Sequence, residues 1–160
     1  MDRKTSTTMS IHLSPVCPET DYQRLAELIT NDSCSPVTVE RLRAWQQCIP
    51  RGTMRLQVIA TAASGRIVGF AEIVHHRTMP SGHFHFSVVV DREQRKRGIG
   101  TMLYDDITEF AREQGATHLS TDVLSCATDG LRFATQRGFT VANDETADCR
   151  DYYRLVRDQL

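Results

Sequence analysis

Residues His83–Gly115, HFHFSVVVDREQRKRGIGTMLYDDITEFAREQG, constrain the fold of this chain more than any other stretch. A hydrophobic strand pattern leads into a basic turn, Arg95-Lys96-Arg97-Gly98-Ile99-Gly100, and the turn opens a helix. Beyond Gly98 the apolar residues Ile99, Met102, Leu103, Ile107, Phe110 and Ala111 fall at the i, i+3, i+4 spacing of one buried helical face. The first turn of such a helix has backbone N–H groups with no partner inside the helix, and the helix dipole adds partial positive charge there. Glycines let a ligand approach those amides closely, and Arg95, Lys96 and Arg97 flank them. The spacing therefore predicts an anion site, for a phosphate or pyrophosphate above all.

The same residues resemble a known family. Arg95-x-x-Gly98-x-Gly100, preceded by Val88-Val89-Val90, matches in full the Arg/Gln-x-x-Gly-x-Gly/Ala signature of the GNAT superfamily of N-acetyltransferases. That signature is weak alone; the strand before it, the helix after it and the elements elsewhere make it strong. The resemblance implies an α/β fold of the α+β kind, a mixed and mostly antiparallel sheet of six to seven strands with helices on both faces. It also implies acetyl-coenzyme A as cofactor, and transfer of its acetyl group by direct attack of a primary amine on a small molecule, peptide or protein.

A chain of 160 residues, 40% hydrophobic and 24% charged, suits one globular domain, here expected over residues 10–160. The opening MDRKTSTTMS lacks the apolar segment of a secretory signal, so residues 1–9 read as a flexible tail, with Met9 an alternative start. No apolar run approaches the roughly 18 residues that cross a bilayer, and a cytoplasmic protein with no membrane partner is expected. The five cysteines (Cys17, Cys34, Cys48, Cys126, Cys149) are scattered and form no C-x-x-C pair, which argues against a disulfide framework or a zinc site. No metal is expected. Net charge is -1, so a nucleic-acid partner is not expected either. Basicity is local, at Arg92, Arg95, Lys96 and Arg97, and a local patch suits a small anion.

Taken in order, Ile11 to Val16 reads as a first edge strand stopped by Pro15 and Pro18. Thr20 or Asp21 is expected to cap a helix carrying Leu25, Ala26, Leu28 and Ile29, and Thr38 a second helix running to Gln47. These two helices are expected to line one wall of the site, with Trp45 in the core. Met54–Val58 alternates as a strand with one exposed face, and Ile67–Val74, apolar on both faces, reads as a central strand paired with it. His83–Val90 follows as the next strand and His118–Val123 as another. A late helix from about Asp129 to Gln136, a strand starting at Phe139-Thr140-Val141, and a final edge strand at Tyr152–Val156 complete the pattern.

The resemblance assigns the pyrophosphate to Arg95, Lys96, Arg97, Gly98, Ile99, Gly100 and Thr101. It assigns the pantetheine arm to the backbone of Val88 and Val90, in a slot opened by splay between that strand and His118–Val123. The acceptor amine must be neutral to attack, and near a pKa of 10.4 its deprotonation at pH 7 requires roughly 4–5 kcal/mol. A general base helps here, and histidine titrates in the right range. The period of the strand puts His83, His85 and Ser87 on one face and Phe84, Phe86 and Val88 on the other. His83 and His85 are thus candidate bases, as is Glu72 on the neighbouring strand. The family's general acid is a late-helix tyrosine. Aligned on Gly138-Phe139, that position here is Ala134, and Ala127 stands where an asparagine is usual. Ser125, Cys126, Tyr152, Tyr153 or a water are the substitutes within reach of the pattern, and Cys126 also reads as an acyl-carrying nucleophile.

Ala134 supports a second reading, a GNAT-fold sensor or regulatory module that binds acyl-coenzyme A with little or no catalysis. A nucleotide-binding domain is a third class, but the chain has no G-x-x-x-x-G-K-[ST]. The acceptor amine, the preferred acyl group and the oligomeric state carry no diagnostic pattern, although the resemblance admits a homodimer.

Overall fold

A computed structural model describes residues 10–142 and 152–160. The elements are β1 (Ile11–Pro15), α1 (Pro18–Asn31), α2 (Val39–Gln47), β2 (Met54–Ala62), β3 (Ile67–His75), β4 (His83–Val90), α3 (Ile99–Glu113), β5 (His118–Leu124), α4 (Thr128–Thr135), β6 (Thr140–Val141) and β7 (Tyr152–Asp158). The strands form one seven-stranded sheet in the order β1-β2-β3-β4-β5-β7-β6. Neighbours are antiparallel except β4 and β5, which run parallel. This is the mixed, mostly antiparallel sheet that the sequence implied.

Strand alternation sorts the apolar residues into two cores. Val58, Ala60, Ala71, Ile73, Phe84 and Phe86 pack with Ile99, Leu103 and Ile107 of α3 on one face. Ile59, Ile67 and Phe70 pack with Tyr22, Leu25 and Leu28 of α1 and Leu42 of α2 on the other. β3 is therefore covered on both sides, as its unbroken apolar run required. Gly69 makes the α3 contact close: a Cβ there would stand 2.8 Å from Leu103 Cδ1.

Several local expectations are corrected. α1 begins at Pro18, not after Thr20 or Asp21: proline occupies the first turn, where no backbone donor is needed, and the Cys17 N–H donates to Asp21 Oδ2 at 2.7 Å. α2 starts as expected, with Thr38 Oγ1 accepting from the Arg41 N–H at 3.2 Å. Trp45 is not in the core. It is 46% exposed, because the short α2 buries only Leu42, and the Arg41 guanidinium lies 5.1 Å from its ring centroid. β2 continues past Val58 to Ala62 and is covered on both faces, since Ile59 meets the α1 side while Val58 and Ala60 meet α3. β7 is not an edge strand either, because β6 pairs outside it.

The feature that positions the site is the short contact between β4 and β5. Their parallel pairing covers only His83–His118, Phe84–Leu119 and His85–Ser120. Beyond it the strands part, while β4 stays in register with β3 from Val74–His85 to Gly69–Val90.

Candidate active site

Parting of β4 from β5 exposes main-chain groups in the middle of a sheet. The Asp91 N–H donates to Val68 O at 2.9 Å, towards β3. Backbone groups alternate sides along a strand, so those of Val88 and Val90 point the other way, into the gap. One of them, Val90 O, accepts from Arg95 Nε at 3.1 Å. The gap belongs to a cavity of about 810 Å³. Its walls include Phe86, Val88 and Val90 of β4, Thr121, Asp122 and Val123 of β5, and Gly130, Phe133 and Ala134 of α4. At one end the cavity reaches Arg95, Lys96, Gly98, Ile99, Gly100 and Thr101. All the expected cofactor positions except Arg97 therefore line a single space.

Backbone conformation builds the turn at that end. Lys96 and Gly98 both have positive φ, 60° and 83°, and Gly98 is the N-cap of α3. A Cβ on Gly98 would meet no atom within 4 Å, so the position opens outward. On Gly100 a Cβ would lie 3.2 Å from Phe133 Cε2, so this glycine admits α4 close to the turn. The amides of Ile99, Gly100 and Thr101 are first-turn groups without intrahelical acceptors. Close by, Gln94 Oε1 is buried with no partner among the described residues, and Gln94 lines the cavity. A buried acceptor left unmatched by the protein suits a ligand donor.

Arg95 plays a different part from a simple phosphate contact. Its Nη2 donates to Asp32 Oδ1 at 2.6 Å and its Nη1 lies 3.9 Å from Asp129 Oδ2, while Lys96 Nζ is 3.8 Å from Asp129 Oδ1. The signature arginine thus ties the turn to the end of α1 and to α4. Lys96 is the more exposed of the two side chains. Neither aspartate was singled out in the sequence, and the signal is weak: only a cation-rich turn that needs counter-charges.

A polar strip crosses the sheet on the face of α1 and α2. Register places Gln57 opposite Glu72, Glu72 opposite Ser87, and His85 opposite Ser120. Glu72 accepts from Arg55 Nε at 2.9 Å, Arg55 Nη2 at 3.2 Å and Gln57 Nε2 at 2.9 Å. Asp122 accepts two hydrogen bonds from the Arg154 guanidinium. Arg55, Glu72, Ser87 and Asp122 line the cavity, as do Tyr22, Leu25, Ile29, Leu42 and Trp45 from α1 and α2. The two helices do form a wall. His83 and His85 are not among the lining residues; they lie just beyond, with Ser120 Oγ 2.9 Å from both His83 Nε2 and His85 Nδ1. His85 Nε2 is 3.7 Å from Asp122 Oδ2, so Asp122 stands between this imidazole and the cavity. Burial holds both histidines below the ordinary pKa, aided at His83 by the charge of His118 and opposed at His85 by Asp122.

At the family's tyrosine position, Ala134 is buried and lines the cavity, so no hydroxyl is supplied there. Ser125 and Cys126 do not line the cavity, Cys126 is exposed, and Tyr153 is 43% exposed outside it. The side chain of Tyr152 lies outside the described residues.

One cavity thus joins the sheet split to the N-terminus of the glycine-opened helix α3. The chain matches the family model described as Acetyltransferase (GNAT) family over residues 22–139 and belongs to that family. It is an acyltransferase by family, and acetyl-coenzyme A is the cofactor usual to that family. Solved structures agree in fold. An N-acetyltransferase from Staphylococcus aureus Mu50 is 17% identical, with 93% of this chain and 98% of that one covered and a TM-score of 0.74. A GCN5-related N-acetyltransferase from Kribbella flavida is 19% identical over 92% and 97%, with a TM-score of 0.71. A GNAT superfamily phosphinothricin acetyltransferase from Sinorhizobium meliloti, solved in complex with AcCoA, is 15% identical over 94% and 89%, with a TM-score of 0.75. No curated protein sequence matches the chain. No helix among the described residues is long and apolar enough to cross a membrane.

Proposed function

We propose that this chain transfers the acetyl group of acetyl-coenzyme A to a primary amine by direct attack. One observation carries the reading: a single cavity joins the α3 N-terminal turn, the β4–β5 gap and the polar strip at Glu72, Ser87 and Asp122. The amides of Gly98, Ile99, Gly100 and Thr101, with Lys96, hold the pyrophosphate. Val88 and the Val90 N–H meet the amides of the pantetheine arm, as a strand edge meets an added strand. When bound, acetyl-coenzyme A supplies the acetyl group as an activated thioester.

The protein's own groups manage the amine and its proton. Glu72 and Asp122, oriented by Arg55 and Arg154, offer carboxylate oxygens to the acceptor's ammonium. Attack requires the neutral amine, and the proton leaves past Asp122 to His85, which burial keeps uncharged and ready to accept it. With alanine at 134, departure of the thiolate proceeds without a tyrosine acid. A thiol pKa near 8.5 makes that tolerable, at a loss of about 10²–10⁴ in rate against an enzyme with a placed acid.

The same alanine favours a second reading, an acyl-coenzyme A sensor. Incubating the protein with acetyl-coenzyme A and a panel of amines, while following free thiol, separates the two. Amine-dependent thiol release supports the transferase; tight cofactor binding with no release for any amine supports the sensor.

A further inference from the structure

We propose that Ser120 joins His83 and His85 into one proton-carrying unit, in which a proton taken at His85 is shared with His83. This rests on the acetyl-transfer reading above. Ser120 is 1% exposed and sits in the last residue pair that holds β4 to β5. Its hydroxyl lies 2.9 Å from a ring nitrogen of each histidine. A hydroxyl has one hydrogen: it donates to one ring and accepts from the other. The two tautomers are therefore coupled.

The acceptor's ammonium selects between the two arrangements as it arrives: it donates to a bare His85 Nε2, whereas the Asp122 carboxylate alone favours a hydrogen on that nitrogen. With Ser120 donating to His83 Nε2, His85 carries its hydrogen on Nδ1 and donates to Ser120. Nε2 of His85 is then bare and faces the Asp122 side, 3.7 Å away, where the amine's proton arrives. Uptake at Nε2 makes an imidazolium. Transfer of the Nδ1 hydrogen to Ser120 Oγ, as Ser120 gives its own to His83 Nε2, moves the charge to His83. One proton enters, one charge moves, and solvent removes one proton from the unit; no heavy-atom bond forms or breaks.

The surroundings fix the occupancy. His83 faces the His118 ring at a centroid distance of 6.4 Å, and its backbone oxygen meets His75 Nδ1 at 2.7 Å. Arg154 and Asp158 of β7, and Asp122 of β5 with Glu72 of β3, supply the remaining charges felt by the two rings. Burial and the charge of His83 on His85 disfavour a second proton, which couples the two titrations. His85 receives the proton; Ser120 and His83 act through it and are positioning residues.

The test compares wild type, Ser120→Ala, His83→Asn and the double variant, using acetyl-coenzyme A and the best amine of the panel. Each single variant is expected to lower kcat about tenfold, below the 10²–10⁴ of a general base itself, and the double variant no further. Coenzyme A affinity stays unchanged. Additive losses, or an unchanged kcat and pH profile in Ser120→Ala, overturn the proposal. A second measurement needs no variant and no turnover: ring-nitrogen NMR of the wild-type histidines. A joint titration of His83 and His85 supports the unit, and two independent titrations overturn it. Absence of thiol release from wild type with every amine refutes the transferase reading instead, and the NMR result still decides the relay.

Discussion

Replacing Gly98 tests the proposed anion site apart from the rest of the fold. Its φ of 83° is a left-handed conformation, and a Cβ added there meets nothing within 4 Å. Gly98→Ala therefore clashes with no protein atom and introduces only backbone strain, about 1–2 kcal/mol. In a chain of 160 residues that lowers Tm by roughly 2–8 °C, at 2–4 °C per kcal/mol. Gly98→Asp carries no more strain, since aspartate tolerates this region better than alanine, but it places a carboxylate at the mouth of the cradle. Two unit charges about 4 Å apart repel by roughly 4 kcal/mol at an effective dielectric of 20, and by less at a greater separation. Coenzyme A affinity should fall about 30- to 10³-fold in Gly98→Asp and far less in Gly98→Ala, with similar melting curves. Titration calorimetry with coenzyme A at two salt concentrations reads both, and high salt should narrow the gap. Affinity in Gly98→Asp within twofold of wild type would refute the assignment of the pyrophosphate to this turn.

Asp129→Asn should strengthen coenzyme A binding a few-fold at low salt, because Asp129 competes for Arg95 and Lys96; weaker binding in the titration would show that Asp129 orders the turn instead. The pH profile of kcat/KM should rise through an apparent pKa below the ordinary histidine value of 6.5, as the proton acceptor must be neutral and burial lowers its pKa. An acid limb above that value would contradict the role given to His85. The same shift has a stability counterpart. The unfolded chain binds protons at these histidines more readily than the folded one, so stability falls as pH drops below about 6.5 towards the lowered folded values, and urea midpoints measure it. Phe139→Ala, which removes a ring in edge contact with Phe86 and Tyr104, should cost about 3–5 kcal/mol by urea unfolding; a loss under 1 kcal/mol would show that this end of the core is loosely packed.

Much of the architecture was legible because it follows from local patterns. β3 is apolar on both faces and lies inside the sheet, and the basic, glycine-bearing turn does open α3. What escaped depends on contacts far apart in sequence. Asp32 and Asp129 are unremarkable acidic residues until the fold brings them against Arg95. Asp122 gains its place beside the imidazole only from the way β5 pairs with β4. Trp45 looked like core by residue type alone, yet a helix with one buried residue cannot shield it. The histidine pair was visible from strand period, but its serine was not, since Ser120 meets it across a crossover connection.

The central claim is that the cavity joins a coenzyme A cradle to an amine site and passes an acetyl group between them. The most direct measurement follows release of coenzyme A thiol and formation of acetylated amine together, in one reaction, across a chemically varied set of primary amines. Matched, amine-dependent appearance of both products is the expected result. Saturable coenzyme A binding with neither product, for any amine, would contradict it.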